Sequence, residues 1–458
     1  MDINHKIYFY CNFKFNGKKI RLEQVLFVSI LYMHLRTNMW YVSLQSGLNK
    51  ISVMLSIVIL LVSCQSKNVS LDTKMQKILD QGITKHGARG TSVAIVFPDN
   101  TIWTGTSGIS HDTVTIKPDM LFAIGSITKN MVAALSLRLV EEGILSLEDS
   151  LSKWLPEYRY IDKKITIRQL LNHTSGIYMF WENQELWDDL IAERNRIFTP
   201  EEILSYIKEP HFSPGDGWRY SNTNYLLMAM IIEKATASSL SDQMHKYLWE
   251  PLGITDMYLS IQEEIPDNHL AHVYGDNWVF GNKVTDITFE PRASHESIAF
   301  GSSGIFTSAS SLAKWSRALF EGEVIKKESL DEMFQFIEFR EVANMSAYGL
   351  GLQRFPRHFV QGKMAVGHGG GNIGTTTYML YLPDYKVSVV VMINAFPNKA
   401  AESTTKGLVK ATLKDIDAIG LIPYIRFIPE GMIIIGFFLV VSFNVGRLIK
   451  KKRHSQIS

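Results

Sequence analysis

The sequence predicts an α+β domain, and three observations carry that reading. Hairpin signatures stand near both ends of the central region, apolar runs of helix formers lie between them, and no internal repeat or low-complexity segment interrupts the pattern. A first helix is expected around Lys74 to Lys85. It leads into strands Ser92 to Phe97 and Thr101 to Ser107, joined by the turn Pro98-Asp99-Asn100. Asn130 to Val140 are rich in helix formers and apolar on nearly every side, which predicts a buried helix. Farther on, Ser213-Pro214-Gly215-Asp216 marks a turn, Gly217 to Tyr225 reads as a loop, and Leu226 to Ile232 as an apolar helix. A second hairpin follows, Thr375 to Leu382 and Val387 to Asn394 about Pro383-Asp384-Tyr385, and a helix from about Lys399 to Leu413 closes the domain.

Composition excludes several functions. A formal net charge of +2 that includes a basic tail gives no reason to expect a nucleic-acid partner. Hydrophobic residues make up 46% of the chain, enough for a large core. No cofactor is implied, and no metal either: His269-x-x-His272 lacks a third ligand nearby and reads as structural. Cys11 and Cys64 are the two cysteines, so the part beyond Cys64 forms no internal disulfide.

Three motifs carry chemistry. Ser126 and Lys129, one helical turn apart at the start of the buried helix, form a Ser-x-x-Lys tetrad whose hydroxyl and amine project on one face. A serine hydroxyl is a poor nucleophile until a neighbour takes its proton, and a desolvated lysine or a tyrosinate does so. The tetrad occurs five times (Ser126, Ser150, Ser205, Ser311 and Ser403), so context has to choose among them. Tyr220-Ser221-Asn222, on the predicted loop, offers a phenol to move protons and an amide to hold a substrate carbonyl. The third motif is Gly367-His368-Gly369-Gly370-Gly371-Asn372-Ile373-Gly374. Its dinucleotide-like glycine spacing is followed by a β-branched strand instead of the required helix, and its likeness to a lipase oxyanion loop lacks a Gly-x-Ser-x-Gly elbow elsewhere. Glycines on an edge strand would instead let a substrate backbone come close, with a free N–H for an oxyanion.

Taken in order, Ser126-x-x-Lys129, Tyr220-x-Asn222 and His368-Gly-Gly resemble the serine β-lactamase and penicillin-binding protein superfamily. The middle motif points to its class C-like branch of class C β-lactamases, DD-peptidases, D-aminopeptidases and family VIII esterases. Supporting segments are Leu170 to Gly176, Phe212 to Gly215, Pro251 to Ile254, Gly301 to Ser308 and Tyr348 to Gly351, and the resemblance runs from about Lys74 to about Lys410. It implies an antiparallel sheet flanked by helices, a mostly helical lobe, and an active site between them. It further implies a serine hydrolase in which Ser126 is acylated, Lys129 and Tyr220 share the acid and base work, and Asn222 binds the substrate amide. The backbone N–H groups of Ser126 and Gly371 would form the oxyanion hole, for a small-molecule or peptide substrate. The chain departs from the β-lactamase pattern where His368 replaces a lysine. A partly charged imidazole on an edge strand facing the acyl group would favour esters or peptides over β-lactams. Tyr178 to Trp181 would either line the cleft or pack in the core. A penicillin-binding sensor, a β-lactamase and a non-catalytic cell-wall-binding protein are the alternatives.

The ends suggest where the protein works. Ile51 to Cys64, preceded by Lys50 and ending in Leu61-Val62-Ser63-Cys64, resembles a bacterial lipoprotein signal in which Cys64 is lipidated; a plain membrane anchor or uncleaved signal is the alternative. Residues 1–63 are then leader and signal, with 1–38 an over-extended start, and 64–420 the hydrolase domain. Residues 427–449 read as a transmembrane helix followed by a basic cytoplasmic tail, 450–458. These segments predict a membrane lipid partner and a bacterial cell-membrane protein with its catalytic domain extracytoplasmic.

Overall fold

A computed structural model describes residues 12–15, 18–21, 70–277, 281–396 and 398–426. Near the start, Asn12–Phe15 and Lys18–Arg21 pair as a two-stranded antiparallel hairpin that belongs to a compact unit of its own, Met1–Lys74. The larger unit begins at Met75 and is organised by one nine-stranded sheet.

The predicted elements form, most with shifted ends. Helix α1 (Leu71–His86) turns Met75, Leu79 and Ile83 into the core. Strands β1 (Gly90–Val96) and β2 (Ile102–His111) pair antiparallel, and a two-residue strand β3 (Val114–Thr115) returns along the end of β2. Helix α2 (Thr128–Glu141) is buried at almost every position through Leu139, and α3 (Asn222–Thr236) is buried from Thr223 to Ile232. Both are apolar on all sides because other helices and the sheet enclose them. After the amphipathic α4 (Ala309–Phe320) come β4 (Ile337–Val342), β5 (Met345–Tyr348), β6 (Gln353–Arg354), β7 (Val366–Asn372), β8 (Thr375–Leu382) and β9 (Val387–Ile393). Helix α5 (Lys399–Arg426) runs past the expected end at Leu413.

The sheet order is β4-β5-β6-β7-β8-β9-β1-β2-β3, antiparallel throughout, so the two predicted hairpins meet where β9 pairs with β1. Every residue of β9 and β1 is buried, and α4 and α5 both pack on β9, which covers the strand on its two faces. Sequence patterning missed the β4–β5 hairpin, whose strand β4 is largely exposed. It turns at Ala343 and Asn344, both with positive φ (48° and 62°), the backbone a two-residue hairpin turn requires. Between β3 and β4 the chain is mostly helical, so the lobe and the sheet correspond to the expected α+β architecture. No helix among the described residues is long and apolar enough to cross a membrane. The expected span at 427–449, the signal segment and Cys64 lie outside the described residues.

Candidate active site

Ser126 lies in a short 3-10 turn, Gly125–Ile127, that runs directly into α2. From Leu121 to Asn130 it is the one residue not fully buried, so the chain opens to solvent at the hydroxyl. Gly125 has φ +56°, and a Cβ there would come within 2.5 Å of the Gly371 backbone nitrogen. Glycine is needed on both counts, and its absence of a side chain seats the serine turn directly against β7.

Lys129 is wholly buried in the first turn of α2. Its Nζ donates to the Ser302 carbonyl at 2.8 Å and lies 3.0 Å from Ser126 Oγ. The amine also sits 4.9 Å from the Tyr220 ring centre and 5.5 Å from that of Tyr225. Burial drives its pKa well below the ordinary lysine range, with no carboxylate acting against it. The other four tetrads offer nothing similar. Lys153 and Lys406 are paired with Asp149 (2.8 Å) and Glu402 (2.5 Å), while Lys208 and Lys314 are exposed.

Tyr220 falls on the predicted loop, half-buried, and lines the same cleft as Ser126. Desolvation raises its pKa above the usual phenol value, and the neighbouring Ser126 hydroxyl offsets only part of that. At neutral pH it is therefore a phenol and a proton donor. Asn222 differs from expectation in place: it is the first residue of α3, directly after Ser221, and its Oδ1 is buried without a hydrogen-bond donor.

The glycines of β7 serve a purpose the sequence did not reveal. A Cβ on Gly370 would fall 1.9 Å from the Ile124 carbonyl, and one on Gly371 would strike the Phe396 ring at 2.4 Å. The smallness of Gly370 lets β7 pack on the serine turn, and that of Gly371 leaves room for the Phe396 ring on the cleft wall. The register runs Asn372 with Thr375, Gly371 with Thr376 and Gly370 with Thr377. In a two-residue hairpin the innermost pair is hydrogen-bonded and pairs then alternate, so the Gly371 N–H points away from β8. Strand β6 pairs only with Val366 and Gly367, leaving that side of Gly371 open toward Ser126.

For His368 the expectation needs correction. Strand β7 is interior to the sheet, and its edge is free only locally, beyond the short β6. The imidazole is fully buried and does not line the cleft. Its Nδ1–H donates to the Gly369 carbonyl at 2.6 Å, and its Nε2 accepts from the Tyr348 hydroxyl at 2.9 Å. Burial first, and the nearby Lys129 second, push its pKa down to about 3. A neutral, enclosed histidine presents no charge to a substrate. The reason is geometric: along a strand side chains alternate, and position 368 faces the core.

The cleft beside Ser126 measures about 680 Å³. Besides Ser126 and Tyr220 it is lined by Glu182, Trp218, Arg219, Val342, Met345, Gln353, Thr376, Tyr378 and Phe396, with the Gly369–Gly371 backbone as one wall. Of the aromatic segment at Tyr178, none of Tyr178 to Trp181 reaches it, and Phe180 is wholly buried. Sequence reading missed Gln353, whose Oε1 accepts the Gly369 N–H at 2.8 Å, and the ion pair of Arg219 with Glu182 at 2.8 Å across the mouth. Neither lies in a chemical motif; the adjacency of Arg219 to Tyr220 was the one available signal.

A serine hydroxyl, a buried amine and a phenol against a glycine-walled strand define the serine-centred site of the β-lactamase and penicillin-binding protein superfamily. The chain belongs to the Beta-lactamase family, whose model matches residues 75–413. A penicillin-binding protein of Bacillus subtilis (strain 168) is 29% identical over 294 residues, 61% of this chain and 62% of that protein. Esterase EstB of Burkholderia gladioli is 29% identical over 201 residues, 41% of this chain and 51% of the esterase. The chain thus spans between half and two thirds of the length of these curated relatives. Among solved structures, a D-stereospecific amidohydrolase from Streptomyces sp. superposes with a TM-score of 0.64 at 28% identity, covering 73% of this chain and 97% of that one.

Proposed function

We propose that the protein is a serine hydrolase that cleaves an ester, amide or peptide bond through an acyl-enzyme on Ser126. The observation that carries this reading is the position of Lys129, buried without a carboxylate and 3.0 Å from Ser126 Oγ. Burial favours the neutral amine. One of its N–H groups is held by the Ser302 carbonyl, and its lone pair is then free for the serine proton as Oγ attacks the substrate carbonyl. Oxyanion charge develops where the Ser126 and Gly371 N–H groups converge. Tyr220, held as a phenol, delivers a proton to the departing alkoxide or amine, and water entering by the same side releases the acyl group. Asn222, at the start of α3, would hold the substrate amide once a ligand engages it.

Substrate preference follows from what β7 lacks. With His368 neutral and enclosed, that strand offers no cation to a penicillin carboxylate, so esters and amides of acids without that group are favoured. The names of the esterase and of the D-stereospecific amidohydrolase agree with this choice. The apolar segments outside the described residues support an extracytoplasmic domain anchored at the bacterial cell membrane, with Cys64 lipidated. The test is mass spectrometry of the protein after brief exposure to a panel of esters, D-amino-acid amides, D-Ala-D-Ala peptides and penicillins. A single acyl adduct on the peptide containing Ser126, absent from Ser126→Ala and retained in Ser311→Ala, is expected; an adduct persisting in Ser126→Ala refutes the mechanism.

A further inference from the structure

We infer that His173 is a positioning residue for Tyr220, holding the catalytic loop through Nδ1; the inference rests on the reading of Tyr220 as the leaving-group acid. His173 follows the helical turn Ile167–Leu171 and Asn172, with a left-handed backbone of φ +65°. Histidine is one of the few residues besides glycine that adopt this conformation with some frequency. It aims both the carbonyl and the ring at one loop. The His173 carbonyl accepts the Arg219 N–H at 3.1 Å, and Nδ1 accepts the Ser221 N–H at 3.2 Å. These two bonds straddle Tyr220, whose ring rests 4.3 Å from the imidazole.

A chain of hydrogen bonds fixes which nitrogen is the acceptor. The Ile177 N–H donates to Ser175 Oγ (3.2 Å), Ser175 Oγ donates to Asn224 Oδ1 (2.7 Å), and this orientation leaves Asn224 Nδ2 to donate to His173 Nδ1 at 3.1 Å. With two donors aimed at Nδ1, the ring proton is on Nε2. Nε2 itself is buried and has no partner, among the rings of Tyr220, Tyr225 and Tyr348. A buried, unpartnered N–H is costly, and the histidine tolerates it in order to present Nδ1. No carboxylate figures among the groups acting on the ring; the basic neighbours are Lys129 and His368, and the facing phenols of Tyr220, Tyr225 and Tyr348 are the other titratable groups.

Leaving groups read out the position of Tyr220. An alkyl ester needs a proton delivered to its alkoxide, whereas p-nitrophenolate departs without one, so kcat/KM for an ethyl ester and a p-nitrophenyl ester of the same acid separates acid catalysis from everything else. Merely structural damage lowers both in proportion. His173→Gln moves the acceptor from the δ to the ε position and is expected to lower the ethyl to p-nitrophenyl ratio by about tenfold or more, since general acid–base catalysis contributes roughly 10²–10⁴-fold. His173→Asn places Oδ1 where Nδ1 stands, tolerates the left-handed backbone, and should keep the ratio within a few-fold of wild type. If the glutamine variant does not fold, Asn224→Asp carries the test: its carboxylate draws the ring proton onto Nδ1 and deprives the Ser221 N–H of its acceptor, with the same drop expected. Tyr220→Phe is run alongside. A ratio unchanged in Tyr220→Phe overturns the reading of Tyr220 itself, whereas a ratio lowered in Tyr220→Phe but unchanged in His173→Gln or Asn224→Asp overturns the positioning role alone.

Discussion

Replacing His368 with glutamine should remove a pH-dependent loss of stability that the wild type suffers on mild acidification. The folded imidazole is held to about 3 by burial and by Lys129, against an ordinary value of 6.5. Above pH 6.5 both folded and unfolded forms are neutral and the group contributes nothing to pH dependence. As pH falls below 6.5 the unfolded chain binds a proton that the folded chain refuses, so stability falls by about 1.4 kcal/mol per pH unit until about pH 3. From pH 7.5 to pH 5 the loss is about 2 kcal/mol, a large share of a typical 5–15 kcal/mol stability. Lys129, His173, His295 and Glu296 also have shifted values but are present in both proteins, and because His368 is neutral above about pH 3 its removal leaves the charges acting on Lys129 and His173 unchanged over the range measured. Glutamine can still accept from the Tyr348 hydroxyl near the Nε2 position, which limits other damage. Urea unfolding of wild type and His368→Gln at pH 7.5, 6.0 and 5.0 measures the effect. The wild-type advantage at pH 7.5 should shrink by about 2 kcal/mol at pH 5. Parallel stability curves would show that His368 titrates normally, and would restore it as a candidate cation for a substrate carboxylate.

Lys129→Met keeps the volume and apolar surroundings of a buried chain while deleting the base, so folding should survive and kcat/KM should fall by roughly 10²–10⁴-fold, read with a p-nitrophenyl ester; near-wild-type turnover would exclude the lysine as base. Added protease should degrade the catalytic domain in spheroplasts and spare a tag after Ser458, and protection of the domain or loss of the tag would reverse the proposed orientation.

Local chemistry was legible in the sequence. Ser126 and Lys129 share a face because they are three apart on one helical turn, and Tyr220 sits on a loop because Pro214 and Gly215 break the chain before it. Strand β8 has the predicted bounds, Thr375 to Leu382, because β-branched alternation and a following proline turn are properties of neighbouring residues. The β4–β5 hairpin was not legible, since a mostly exposed strand carries no apolar alternation to read.

The sequence by itself determined the two hairpins, the buried helix, the order of the three motifs and hence the family. Only the tertiary structure decided the state of each group in the site. Lys129 has its pKa driven down because Ser302, 173 residues away, and Tyr225 close over it and take it out of water. His368 is held neutral because its side chain faces the core, where Tyr348 folds onto the ring and Lys129 lies near. Gly370 is required because Ile124 lies against it from the other end of the domain. Protonation depends on dielectric and on neighbours within a few ångströms, and both are set by contacts between segments far apart in the chain, which no local pattern records.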